Sequence, residues 1–390
     1  MKKSLISLSF GGLTIGITEF VMMGILPDIA NNLNVSIPVA GYLISAYALG
    51  VVIGAPLLVI FTRNTPPKRT LLILAALLTL FNSLAIIAPN YNLLFLSRFL
   101  SGLPHGAFFG IGAVVASRLA DKGKEAQAIS IMFLGLTIAN VVGVPIGTYI
   151  GHHFSWRYTF IIIGIIGSIT FTAIHFWMPE IQNKSEETIG KQLQFFKKPE
   201  AWLVILITAI GSGGLFCWIS YIAPLLTEIS GFEAANVPYI LILAGLGMVT
   251  GNILGGKLAD KFSAEKTIIC LLLTIALDLI LVFFFSSNPY ISLFLVFTSG
   301  CFSFALAAPV QMLMIKTAVG AEMIASASIQ AAFNIGNALG AFLGGLPLVV
   351  GFNYASPNLV GAIMSIFGVL FTIVFLQRKQ RELKLETLKT

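Results

Sequence analysis

The feature that most constrains this chain is how its charge is spaced along its apolar sequence. Long apolar stretches recur about every 30 residues, and the short polar gaps between them alternate between basic and nearly uncharged. Of the 23 Lys and Arg residues, 21 fall at the N-terminus, in every second gap or in the C-terminal tail. Lys and Arg resist translocation across a bilayer, so the alternation predicts both the spans and their orientation. It places both termini in the cytoplasm. With 57% hydrophobic and 10% charged residues, the chain carries more apolar surface than a water-soluble domain of this size could hide. Lipid must be the solvent for much of it.

A span needs about 20 apolar residues to cross about 30 Å of hydrocarbon. Twelve segments qualify: 6–26, 38–61, 70–88, 93–116, 127–151, 157–177, 201–226, 236–256, 265–285, 290–315, 324–350 and 357–377. Glu19 interrupts the first apolar run and no small-residue cleavage site follows, so that run is kept as a span rather than a signal peptide. Only Arg98 and Arg157 depart from the basic-gap rule. The formal charge of +7 is topological, with no aromatic interleaving, and predicts no nucleic-acid partner. Cys217, Cys270 and Cys301 lie inside spans without metal-ligand spacing, so no metal and no disulfide framework are expected.

The longest polar stretch, 179–200, separates a first bundle of six spans (1–178) from a second (201–390) that ends in a short basic tail. The halves repeat. A shift of 197 positions carries Pro27 to Pro224, Tyr42 to Tyr239, Gly50 to Gly247, Gly54 to Gly251 and Thr70 to Thr267. It also carries Asn140 to Asn337, Gly143 to Gly340 and Gly147 to Gly344. An even number of spans per half gives both halves the same orientation. That is the parallel-repeat plan of rocking-bundle transporters. The predicted fold class is all-α: twelve transmembrane helices in two pseudo-symmetric six-helix bundles.

Few side chains in the spans can carry chemistry. Glu19 lies near the middle of span one, where a charge costs roughly 2.5–3.5 kcal/mol on insertion scales. It must face a cavity or a partner, or be neutral. A carboxyl that holds a proton when sealed and releases it when wetted is a proton carrier; the alternative is a protonated Glu bonded to a neighbouring helix. Asp278 in span nine is the only other acid deep in a span; it could carry a proton, bind a cationic substrate, or satisfy a neighbouring Ser or Thr. Arg98 in span four needs an acceptor. His105 is two turns along nearly the same helix face and reads as a proton or substrate group, or as an interhelical hydrogen bonder. Asn140, Asn334 and Asn337 are candidates for polar substrate contact, because amides in spans must find partners. Pro145 should bend span five, and the glycines around it should admit close helix approach. Gly251 to Gly256-Lys257 mimics the glycine and lysine spacing of a nucleotide-binding loop. Leu258 follows where Ser or Thr is required, and the stretch is a span, so ATP is not expected.

Five segments in order carry a family resemblance. They are Thr18-Glu19-Phe20 followed by Leu26-Pro27-Asp28-Ile29-Ala30; Arg98 through Ala107; Gly143 through Thr148; Ser220 through Glu228; and Ala332 through Gly340. With these the chain resembles the major facilitator superfamily, and within it the twelve-span drug:proton antiporters of the arabinose-efflux-permease-like branch. One hallmark departs. The superfamily's loop after span two, Gly-x-Leu-x-Asp, is here Val59, Phe61 and Arg63, while the second half keeps it as Gly256, Leu258 and Asp260 beside Lys261.

The resemblance implies a secondary active transporter, not an enzyme, without cofactors. It would export a small organic molecule by alternating access while protons enter. Glu19 and Arg98 take the proton-coupling role. Phe20, Asn140, Tyr221, Phe333, Asn334 and Asn337 fall near the substrate cavity. Gly143, Pro145, Gly147, Gly336 and Gly340 form the antiporter-motif packing, and Gly256, Asp260 and Lys261 a cytoplasmic gating loop. A monomer in the bacterial inner membrane is expected, with protons, a small-molecule substrate and the lipid bilayer as partners. Uptake by proton symport or facilitation on the same fold is the near alternative; a non-transporting membrane receptor or scaffold is the distant one.

Overall fold

The computed structural model describes residues 2–35, 37–182 and 189–387. Residues 183–188 of the polar stretch 179–200 and residues 388–390 of the basic tail lie outside the described residues. The described chain is helical without strands, and twelve of its helices are long and apolar enough to cross a membrane. In chain order they are α1 (Lys2–Asn32), α2 (Ile37–Thr62), α3 (Pro67–Leu84), α4 (Tyr91–Leu119), α5 (Glu125–His153) and α6 (Trp156–Trp177). Then follow α7 (Pro199–Ser220), α8 (Val237–Phe262), α9 (Ala264–Phe285), α10 (Pro289–Thr317), α11 (Glu322–Val349) and α12 (Pro357–Thr387). Several starts are marked by proline or by side-chain caps. Pro67, Pro199 and Pro289 open helices, where a missing N–H costs nothing. Asn90 accepts from Leu93 N at 3.0 Å to cap α4, and Asn288 accepts from Tyr290 N at 3.0 Å to cap α10.

Two predicted continuous spans are interrupted, and span five is distorted, each next to a proline. In α5 a π-helical turn, Ala139–Gly143, precedes Pro145. Pro145 cannot donate to residue 141 and its ring crowds that carbonyl; one wider turn relieves both. The corresponding residue of α11 is Phe342, and α11 is unbroken. The predicted span 201–226 stops at Ser220, because Pro224 cannot bond the Ser220 carbonyl. The chain turns at Tyr221 and resumes as Ile222–Pro224 and a π turn, Leu225–Ile229. Leu306 interrupts α10 for the same reason, one turn before Pro309.

The chain divides into two compact units, Met1–Glu187 with Glu322–Ala331, and Thr188–Ala321 with Ala332–Thr390. In the first unit, α1 packs on α5 and α6, α2 on α4, and α3 on α4 and α6. The first turns of α11 belong with this unit: Ser326 Oγ donates to Gly110 O at 2.8 Å. An apolar cluster of Val21, Met22, Ile25, Leu43, Trp156 and Phe160 fills one end of it. Arg157, an exception to the charge rule, is a staple at this end. Its Nη1 donates to Asn32 Oδ1 (2.8 Å), its Nη2 donates to Ala88 O (2.8 Å), and its guanidinium lies 4.2 Å over the Trp156 ring.

The second unit repeats the close contacts of the first. A side chain at Gly50 would strike the Phe99 carbonyl, and one at Gly54 would strike Leu103. At Gly247 it would strike the Phe297 carbonyl, and at Gly251, Cys301. Likewise Gly143 faces Ile17 between α5 and α1, and Gly340 faces Gly213 between α11 and α7. The sequence repeat is therefore a repeat of which helix backbones touch. Lipid-facing pairs such as Leu80 and Leu277 stay exposed; hydrocarbon solvates them as well as protein would.

Candidate functional site

In the first unit the polar side chains of four helices converge around Arg98 of α4. Arg98 is 1% exposed. Its Nη1 donates to Thr18 Oγ1 of α1 at 3.0 Å, and its guanidinium carbon stands 4.4 Å from the centroid of the Tyr47 ring of α2. Thr18 Oγ1 in turn donates to Asn82 Oδ1 of α3. Asn82 Nδ2 donates to Leu78 O at 2.8 Å, which fixes the amide with its oxygen toward Thr18. Arg98 Nε and Nη2 make no hydrogen bond among the described residues.

Glu19 follows Thr18 on α1 and is half-buried. It interacts electrostatically with Arg98 and Tyr47. Since Arg98 Nη1 goes to Thr18 and its other nitrogens are unbonded, this attraction acts without a hydrogen bond. His105 is buried further along α4. Its Nδ1 lies 3.0 Å from the Tyr47 hydroxyl, and its ring meets Phe109 edge-on at 5.3 Å. Arg98 and His105 thus share a face of α4, with Tyr47 bridging them from α2.

Thr18, Tyr47 and Asn82 were not singled out from the sequence. The rule that selected Asn140, an amide inside a span, applies equally to Asn82. Thr18 stands inside the quoted Thr18-Glu19-Phe20 segment. Tyr47 carries no such signal, because a tyrosine in an apolar helix is usually packing.

Asp278 of α9 belongs to the second unit and is 5% exposed. Thr298 Oγ1 of α10 donates to its Oδ1 at 2.6 Å, and Ser299 Oγ donates to its Oδ2 at 2.5 Å. Both carboxylate oxygens are thus satisfied by the neighbouring helix.

The remaining candidates fall in three places. Gly143, Gly147 and Gly151 lie along α5 against Ile17, Val21 and Ile25 of α1, with Pro145 on the same stretch. Gly336 and Gly340 lie along α11 against Ala209 and Gly213 of α7. The Tyr221 hydroxyl donates to Ala341 O at 2.7 Å, which ties the break in α7 to α11. Phe333 and Asn337 are half-buried and Asn334 is buried on α11; Phe20 and Asn140 are half-buried in the first unit. Asn140 sits in the π turn and its Nδ2 donates to Leu136 O at 3.1 Å. At the end of α8, Gly256 is buried, Asp260 half-buried and Lys261 exposed, with the Lys261 ammonium 5.0 Å over the Phe262 ring. No group of three or more His, Cys, Asp or Glu among the described residues could hold a metal ion.

Twelve apolar helices in a repeated arrangement, with Arg98 buried and Glu19 half-buried among them, define a polytopic membrane protein. The sequence model of the Major Facilitator Superfamily matches residues 8–329, and the chain belongs to that family, whose members are transporters and not enzymes. Among its relatives is Escherichia coli AraJ, 38% identical over 387 residues, covering 99% of this chain and 98% of AraJ. The E. coli inner membrane transport protein YdhP is 39% identical over 379 residues, covering 97% of each chain. A Helicobacter pylori protein named "Probable sugar efflux transporter" is 31% identical over 331 residues, covering 84% of each. The fold matches the E. coli fucose:proton symporter FucP with a TM-score of 0.76 at 15% identity, over 95% of this chain and 98% of that one.

Proposed function

We propose that this transporter is a proton-coupled exporter of a small organic molecule in a bacterial inner membrane, with Glu19 as the proton carrier. The observation that carries the reading is the placement of Glu19 in the field of the buried, hydrogen-bond-poor Arg98. An acid there can exchange a proton with water when its side of the protein opens and compete for the guanidinium when it is ionised. The names of the relatives support inner-membrane efflux. Potential alone supplies about 2.3 kcal/mol per proton at 100 mV, enough for roughly 50-fold accumulation across the membrane.

In this reading residues 1–178 and 201–390 are the moving bundles, 179–200 is the linker, and the termini face the cytoplasm. Gly143, Pro145, Gly147, Gly336 and Gly340 hold each bundle's α1–α5 or α7–α11 pair close. Phe20, Asn140, Tyr221, Phe333, Asn334 and Asn337 line the substrate path, and Gly256, Asp260 and Lys261 gate it. His105 serves proton or substrate, while Asp278, which accepts from Thr298 and Ser299, ties α9 to α10. The protein works as a monomer.

The test uses everted membrane vesicles with an acid interior and a panel of monosaccharides, nucleosides and hydrophobic drugs such as chloramphenicol. Compounds that are exported release protons from the wild-type vesicle interior. Glu19→Gln protein, present at wild-type levels, should give no such release. Undiminished proton release in that variant defeats the Glu19 reading, and proton movement in the same direction as substrate would make the protein a symporter.

A further inference from the structure

We infer that Thr18 and Asn82 are positioning residues that hold the Arg98 guanidinium back from Glu19, and so set the pH at which Glu19 exchanges its proton. The inference rests on the reading that Glu19 is the carrier, and adds what regulates it.

The geometry defines a one-way chain of donors. Arg98 donates to Thr18, Thr18 to Asn82, and Asn82 to the Leu78 carbonyl (Arg98 Nη1 to Thr18 Oγ1 3.0 Å; Asn82 Nδ2 to Leu78 O 2.8 Å). The Leu78 carbonyl cannot turn round, so Asn82 must present its oxygen to Thr18. Thr18 must then give its only proton to Asn82 and receive Arg98 on a lone pair. All three side chains are buried, so breaking the chain leaves a polar group without a partner. The Tyr47 ring closes the other side of the guanidinium at 4.4 Å. Arg98 is thereby clamped between α1 and α2, with Nε and Nη2 unbonded, while Glu19 feels its charge without a contact.

The titratable surroundings are few. Arg98 and His105 come from α4 and Tyr47 from α2; of these, Arg98 acts on Glu19 directly, and Glu19 in turn acts on Tyr47. The α5 groups packed on α1 nearby are Ala139 and Gly143, and from α6 Thr170 meets Thr14 at 3.0 Å; none of these titrates. Asn82 contributes only an amide. No other ionisable side chain among these neighbours competes with Arg98 for control of Glu19. The position of one guanidinium is the variable, and two neutral side chains hold it. Without them Arg98 is free to close on the carboxylate. An opposite charge brought into contact moves a carboxyl titration by about 1 to 3 pH units.

The experiment needs no substrate. Purified protein in liposomes is titrated while the infrared band of protonated carboxyl groups is followed, and the Glu19 contribution is taken as the part lost in Glu19→Gln. Thr18→Val keeps the shape of the side chain and removes the hydroxyl. Asn82→Leu breaks the chain one residue later and guards against a folding failure of the first variant. Thr18→Ser restores the hydroxyl. The expected result is a midpoint displaced by about 1 pH unit or more in Thr18→Val and Asn82→Leu, and a wild-type midpoint in Thr18→Ser. A wild-type midpoint in a folded Thr18→Val or Asn82→Leu protein overturns the positioning role and leaves Glu19 as carrier untouched. A wild-type protein with no Glu19-dependent titrating band overturns the carrier reading as well.

Discussion

Arg98 stands 4.4 Å over the ring of Tyr47, and the hydroxyl of the same tyrosine reaches His105 Nδ1 at 3.0 Å. One side chain of α2 therefore makes two separable interactions with α4. Tyr47→Phe keeps the ring under the cation and gives up the hydrogen bond, a loss of about 1 kcal/mol. Tyr47→Leu gives up both, and a desolvated cation–π contact is worth about 2 kcal/mol. Unfolding free energies in detergent should therefore place Tyr47→Leu about 2 kcal/mol below Tyr47→Phe. Equal losses would mean that the ring face contributes nothing to holding Arg98.

Asp278 is expected to be a packing group rather than a second carrier. Thr298 and Ser299 already donate to both of its oxygens, and this hydroxyl pair ties α9 to α10. Interhelical hydrogen bonds inside membranes average about 0.6 kcal/mol and reach about 1.7. Asp278→Asn should cost about 1 kcal/mol of stability and leave Glu19-dependent proton uptake intact. Proton uptake lost as completely as in Glu19→Gln would make Asp278 part of the relay.

The fold was legible because its signals are long. Twelve apolar runs, alternating basic gaps and a constant shift survive any local irregularity, and the shared glycines Gly143 and Gly340 mark the same helix contact in both halves. The breaks were harder to place. Pro145, Pro224 and Pro309 were visible, but whether a proline is absorbed by a π turn, a full break or, as at Pro27 in α1, a continuous helix depends on neighbours that sequence does not reveal. The charged members of the site, Glu19 and Arg98, announce themselves by their cost in lipid. Their neutral partners do not: Thr18, Tyr47 and Asn82 cost little in a span, and only their convergence from three helices onto Arg98 shows what they do.

The glycine contacts predict a graded series. A methyl group added at Gly41 would have nothing within 4 Å, one at Gly344 would meet Tyr221 Cε2 at 3.3 Å, and one at Gly340 would meet the Gly213 carbonyl oxygen at 2.5 Å. Overpacking against backbone costs about 1–3 kcal/mol, whereas alanine in open helix is favoured over glycine by up to about 1 kcal/mol. Melting temperatures should rank Gly41→Ala at or above wild type, Gly344→Ala slightly below, and Gly340→Ala lowest. A Gly340→Ala protein as stable as wild type would show that α7 and α11 are not held at this distance.

Arg157 carries the last expectation. It is a cation in a gap that the charge alternation leaves nearly empty, so its retention calls for a structural return. Its guanidinium joins the end of α1 through Asn32, the turn between α3 and α4 through Ala88 and the start of α6 through Trp156. A lysine keeps the charge but cannot serve two acceptors in one plane while stacking on an indole. Arg157→Lys should cost about 1.5–3 kcal/mol, the range for hydrogen bonds to charged groups. A double-mutant cycle with Asn32→Ala should show coupling above about 0.5 kcal/mol, and proteolysis at the α5–α6 turn should quicken. The Glu19 titration should not move, because none of the staple's contacts reaches Arg98 or Thr18. Additive losses in the cycle would reduce Arg157 to a bystander.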